Sequence, residues 1–170
     1  MLKSIVQNCW VVSDLGQAID QWIRTAGVGP FFTLELSVPD ALYRGKLSPL
    51  HFSVALAQAG PLQIELVQQH SPGPSAYRDV VPEGQSGFHH VLYMADNYQA
   101  EVDRLRGLGI VMATEACFDG GPWVCADTRA QMGCMLEIVP DRPILRYLNK
   151  LVLESSVGWD GTDPIRPVKS

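Results

Sequence analysis

The chain has 170 residues, of which 46% are hydrophobic and 18% charged, and a formal net charge of −5. At roughly 150 residues per domain that is about one domain, long enough to bury a core without disulfides or a structural metal. The acidic balance lacks the basic footprint of a nucleic-acid binder, and no apolar run approaches the ~18 residues of a membrane span.

Cys9, Cys117, Cys125 and Cys134 form no Cys-x-x-Cys pair, so reduced thiols are predicted, most of them within apolar strands. The start, Met1-Leu2-Lys3-Ser4, lacks the apolar run and small-residue cleavage site of a secretory signal. The expectation is a cytoplasmic protein acting on a small molecule.

In chain order, Ser4 to Val12 is rich in β-formers and reads as a strand. Ser13-Asp14 caps a helix whose apolar stripe is Leu15, Ala18, Ile19, Trp22, Ile23 and Ala26, ended by Gly27. Phe31 to Leu36, Leu50 to Leu56 and Leu62 to Gln68 read as strands, with Ser37 to Pro49 an irregular connection. His70 to Gly87 is a Pro-, Gly- and Ser-containing linker with one helical turn around Ala76 to Val80.

The order then repeats. Phe88 to Met94 is a strand, Asp96-Asn97 a cap, and Tyr98, Val102 and Leu105 one face of a helix closed by Gly109. Ile110 to Thr114, Trp123 to Asp127 and Cys134 to Val139 are the remaining strands. After Pro140, Ile144, Leu145, Leu148, Leu151 and Val152 form one helical face, expected to dock or to make a dimer contact. Gly158 to Ser170 is expected to lie over the surface or be poorly ordered.

The predicted class is α+β: two tandem βαβββ modules forming a curved eight-stranded sheet around a central cavity, plus a C-terminal helix. Residues 1–140 make one domain, with module one at 1–69, the linker at 70–87 and module two at 88–140; 141–170 are the helix and tail.

Strand alternation gives the repeat chemical meaning, because residues i and i+2 share a face. In the closing strands, Glu65 opposes Leu62, Ile64 and Leu66, and Glu137 opposes Cys134, Leu136 and Ile138. In the opening strands the equivalent positions are Gln7 and His90. If a pseudo-twofold axis relates the modules, Gln7, Glu65, His90 and Glu137 converge as a ligand set for a divalent cation, with positions open for substrate oxygens. Alternation points His89 to the face opposite His90, as a packing residue; Trp10 and Trp22 are taken as core.

The repeat, Val-Ser-Asp-Leu at 12–15, Ile-Glu-Leu at 64–66, His-His-Val at 89–91 and Leu-Glu-Ile at 136–138 together resemble the vicinal oxygen chelate superfamily, over about residues 4–140. That superfamily includes glyoxalase I, methylmalonyl-CoA epimerase, extradiol dioxygenases and bleomycin resistance proteins. The resemblance implies a metal set of Gln7, Glu65, His90 and Glu137, similar to one glyoxalase I branch. An extradiol site uses two His and one carboxylate, and only His90 and Glu137 match it.

The function expected is a divalent-metal-dependent isomerase, epimerase or lyase moving a proton α to a carbonyl, with Glu137 or Glu65 as the base. The metal is Zn, Ni, Co, Mn or Mg. Glu35, Tyr43 and Arg44 are substrate-binding candidates, set against the reading that each is a solvated side chain. The alternative is a metal-free protein that sequesters a small molecule, as bleomycin resistance members do. The expected partners are a small-molecule substrate and a second copy of the chain, with neither nucleic acid nor membrane.

Overall fold

The computed structural model describes residues 4–168; the expectations for Met1 to Lys3, Lys169 and Ser170 lie outside them. Module one contains β1 (Gln7–Val11), α1 (Leu15–Ala26), β2 (Phe31–Val38), β3 (Leu42–Tyr43), β4 (Lys46–Leu47), β5 (Leu50–Ala59) and β6 (Leu62–Gln69). The linker holds α2 (Ala76–Val80). Module two contains β7 (Gly87–Ala95), α3 (Tyr98–Gly107), β8 (Met112–Phe118), β9 (Gly121–Ala126), α4 (Arg129–Met132) and β10 (Met135–Pro140). The extension adds α5 (Pro143–Ser156) and β11 (Ile165–Pro167).

All the strands join one curved, unclosed sheet in the order β11-β2-β5-β6-β1-β7-β10-β9-β8-β3-β4. Each opening strand runs parallel to its module's closing strand, β1 to β6 and β7 to β10. The two opening strands meet antiparallel at the centre. The halves β2-β5-β6-β1 and β8-β9-β10-β7 therefore mirror each other across that seam.

Alternation divides the core in three. Ile64 and Leu66 turn outward onto Ala18 and Ile19 of α1. Leu136 and Ile138 turn outward onto Val102 and Leu105 of α3. The inward residues, among them Cys9, Phe52, Val54, Leu92, Met135 and Val139, line the concave trough. Local signals agree with these placements. The Asp14 side chain accepts from Gln17 N at 2.8 Å, a cap worth about 1 kcal/mol, and Gly27 ends α1 in the left-handed conformation at φ 64°.

One feature differs from expectation, and two expectations left open take a definite form. The connection at 37–49 is not wholly irregular: β3 and β4 form a hairpin whose loop residues, Arg44 and Gly45, both have positive φ, and β3 pairs with β8. The tail is not loose, because β11 adds to the edge of β2. Helix α5 lies in this chain's own trough, with Leu148 and Val152 buried. Among the described residues, no helix is long and apolar enough to cross a membrane.

Candidate metal and substrate site

The floor of the trough is where β6, β1, β7 and β10 run side by side, and each carries one of the four predicted donors. Their inward faces bring Gln7, Glu65 and Glu137 to one cavity of about 120 Å³. His90 lies beneath it, fully buried. His90 Nε2 is 3.4 Å from Glu65 Oε2 and 3.2 Å from Glu137 Oε2, and the donor atoms of the three residues lie within 4.8 Å of one another. Adjacent donors in an octahedron with ~2.1 Å bonds stand about 3.0 Å apart, so the spacing suits a shared cation.

The hydrogen-bond inventory supports that fit. Gln7 Oε1, Glu65 Oε2 and His90 Nε2 are all buried and have no hydrogen-bond partner. A buried polar atom left so costs about 1–3 kcal/mol, and a bound ion is one way to satisfy several at once. Oxygen donors with one imidazole match Mg, Mn, Zn, Ni or Co. Burial first, and then the charge of Glu65, holds the Cys9 pKa well above the usual thiol value, so beside the carboxylates it stands as a neutral thiol.

Outer partners fix which atom of each ligand faces the cavity. His89 Nε2 lies 2.8 Å from the Ala76 carbonyl, which can only accept, so that nitrogen carries the proton. Burial and then the neighbouring His90 depress the His89 pKa to about 3, leaving the ring neutral and its Nδ1 bare. That Nδ1 lies 2.8 Å from His90 Nδ1, which therefore donates. The tautomer left to neutral His90 presents a free Nε2 lone pair to the carboxylates, as a metal-binding imidazole must. On the other side, Gln7 Nε2 donates to Gln63 Oε1 at 2.6 Å, and Gln63 Nε2 donates to Asn149 Oδ1 of α5 at 3.1 Å. This relay turns the Gln7 carbonyl oxygen away from Gln63.

His89 does not obey strand alternation. Cys9 pairs with His90 and Trp10 with Phe88, so His89 is the extra residue of a β-bulge. The bulge brings its ring against His90 instead of sending it to the opposite face. Both of its nitrogens are engaged, so it positions His90 and is not a second histidine ligand.

Burial, opposed by His90 and reinforced by Glu65, raises the Glu137 pKa to about 7. Burial alone would lower His90; the charges of Glu137 and Glu65 outweigh it and raise its pKa. Tyr77 of α2 also lines the cavity, and burial followed by both carboxylates keeps its phenol protonated.

The three substrate-binding candidates are not brought to this cavity. Leu34 and Leu36 line it, so Glu35 between them faces outward and pairs with His51 Nε2 at 2.6 Å. The Tyr43 hydroxyl donates to Asp79 at 2.8 Å. Arg44 bridges Asp79 at 2.6 Å and Asp127 at 2.7 Å, which ties the β3–β4 hairpin to module two. Sequence reasoning assigned no role to Gln63, Tyr77 or Asn149. Gln63 shares Glu65's face by alternation, which was the available signal; Tyr77 and Asn149 lie outside the repeat.

The family model of the Glyoxalase/Bleomycin resistance protein/Dioxygenase superfamily matches residues 6–125. No curated protein matches the chain in sequence. Among solved structures, the methylmalonyl-CoA epimerase from Mycobacterium tuberculosis superposes with a TM-score of 0.58 at 18% identity, over 84% of this chain and 91% of that one. A hypothetical protein from Bacillus halodurans gives 0.57 at 12% identity, over 84% and 96%. A variant of the Streptomyces coelicolor methylmalonyl-CoA epimerase in complex with 2-nitronate-propionyl-CoA gives 0.51 at 15% identity, over 85% and 98%. At these identities the likeness is one of fold.

Proposed function

We propose, from the premise that the chain belongs to the Glyoxalase/Bleomycin resistance protein/Dioxygenase superfamily, that it is a divalent-metal-dependent isomerase or lyase moving a proton next to a carbonyl. The observation that carries this reading is the cluster of Glu65, His90 and Glu137, whose donor atoms lie within 4.8 Å of one another, together with the buried Gln7 Oε1, Glu65 Oε2 and His90 Nε2 that have no hydrogen-bond partner. Gln7, Glu65, His90 and Glu137 would hold a divalent cation, which when bound would supply Lewis-acid polarisation of a substrate carbonyl and so acidify the neighbouring C–H. Every other task falls to the protein's own side chains.

Glu137, with its pKa raised to about 7 by burial, can both accept and return a proton near neutrality. Glu65 stands on the same imidazole and can serve as the second proton carrier. A carboxylate tightly engaged by a cation is a poor base, so the one that moves the proton would be the more weakly held of the two. His90 is held by His89 and does not transfer protons. The apolar walls exclude water and strengthen each charge interaction inside.

The test is the metal content of protein purified without chelator, followed by deuterium uptake at the α-carbon across acyl-CoA, hemithioacetal and hydroxy-ketone panels. Stoichiometric metal with exchange in one panel supports the reading; no bound or bindable divalent ion would sink it. The apolar lining favours a second reading, metal-free sequestration of a small compound, which predicts tight ligand binding unaffected by chelator.

A further inference from the structure

We infer that the cavity takes a compact apolar carboxylic acid, free of any bulky carrier, with its carboxylate held by Arg142. The inference deepens the proposed function and rests on it for the word substrate, although the binding itself does not require turnover.

Arg142 lines the same cavity as Gln7, Glu65 and Glu137. Its Nη1 donates to the Asp119 carbonyl at 2.7 Å and its Nη2 to the Phe118 carbonyl at 2.9 Å, while Nε is buried without an acceptor. Among the described residues no carboxylate lies within 4.0 Å of this guanidinium, in contrast to Arg44, Arg129 and Arg146, each held by aspartate. The two neutral carbonyls orient the cation and leave its charge uncompensated. The seat is shaped for it: a Cβ on Gly121 would stand 2.0–2.3 Å from the guanidinium atoms. An oriented arginine without its own acid, set in the wall of a chamber whose other charges are Glu65 and Glu137, has the free charge and fixed geometry to receive a ligand carboxylate.

The size and closure of the chamber point to a free acid. Leu34, Leu36, Phe52, Leu92, Met94 and Leu145 supply apolar wall. Helix α5 crosses the open side of the trough, with Val152 fully buried beneath it, and Asn149 is bonded to Gln63. Its far end leads to β11, which is paired along β2. Among the described residues, Arg142 is the only lysine or arginine lining the chamber. A coenzyme A or glutathione carrier would have to pass α5 and bind without a cationic track.

Titration calorimetry on the metal-loaded protein tests this with three probes: 4-methyl-2-oxopentanoate, its uncharged amide, and isovaleryl-CoA. The free acid is expected to bind about 10–100-fold more tightly than the amide, the range for a charged hydrogen-bonded contact. It should also bind more tightly than the thioester. In Arg142→Met the preference for acid over amide should vanish while metal stoichiometry stays intact. Gly121→Ala, which displaces the guanidinium without removing it, should reduce the same preference and covers the case in which Arg142→Met fails to fold. Equal binding of acid and amide, a preference that survives both substitutions, or tighter binding of the thioester overturns the inference. The same titration on chelated protein separates it from the proposed function. Acid selectivity without metal uptake leaves Arg142 standing and removes the isomerase; metal uptake without acid selectivity does the reverse.

Discussion

The two modules place equivalent strands around one point, yet they orient their opening-strand ligands by different means. In module two, His90 is set by His89, which is set in turn by a carbonyl of α2 in the linker. In module one, Gln7 is set by Gln63, which is bonded to Asn149 of α5 in the extension. The closing-strand ligands, Glu65 and Glu137, occupy matching positions and approach the same imidazole nitrogen. The comparison teaches that the repeat supplies the four candidate donors, whereas elements outside the repeat help select which atom of Gln7 and His90 faces the cavity.

The comparison can be broken most severely at the shared centre. Glu137→Gln keeps the shape and removes one charge, and should weaken metal binding by more than about a hundredfold, beyond the 10–100-fold typical of an outer partner. It should also abolish α-proton exchange; near-normal exchange would remove Glu137 as the base. Next is His89→Phe, which strands the Nδ1 proton of His90 and should cost about 10–100-fold in metal affinity, read by competition with a chelating dye. Retained affinity would mean that the bulge does not fix the tautomer.

A pH series should give a smaller effect and separates the modules. Gln7 does not titrate, while Glu137 and His90 of module two both have raised pKa values. Below about 7 Glu137 holds a proton that must leave before a cation binds, and protonated His90 holds a second, so affinity should fall by at least about tenfold per pH unit of acidification. An affinity that is flat from pH 8 to 6 would contradict this. In the metal-free protein the same raised pKa acts on stability. Between the unfolded carboxylate value and about 7 the folded state binds more protons, so the contribution of Glu137 is lost as pH rises. The smallest expected effect is that of Asn149→Leu, two bonds removed from the ligand, with a severalfold loss of metal affinity by the same dye assay.

Much of this site was legible in the sequence because strands alternate and the βαβββ order repeats. Those two regularities suffice to put Gln7, Glu65, His90 and Glu137 on one face. They fail at His89, where a single extra residue suspends the alternation without any compositional mark. They are silent on α5, whose apolar stripe announces that it packs but not against what. Tyr43 and Arg44 read as available in the sequence because Asp79 and Asp127, which engage them in the structure, lie in other elements. Glu35 was readable, since Leu34 and Leu36 flank it and one of the two sets had to face inward.

The placement of α5 and β11 also bears on how the chain assembles. Both modules precede these elements in sequence, and β11 joins the edge of β2 by pairing Ile165 with Phe31. During synthesis the sheet can form before the helix that covers its trough has left the ribosome. For that interval Leu34, Leu36 and Phe52 face solvent, and the β2 edge is a bare pairing template. A nascent chain stalled near residue 141 should therefore be a stronger target for chaperones than one released past residue 168.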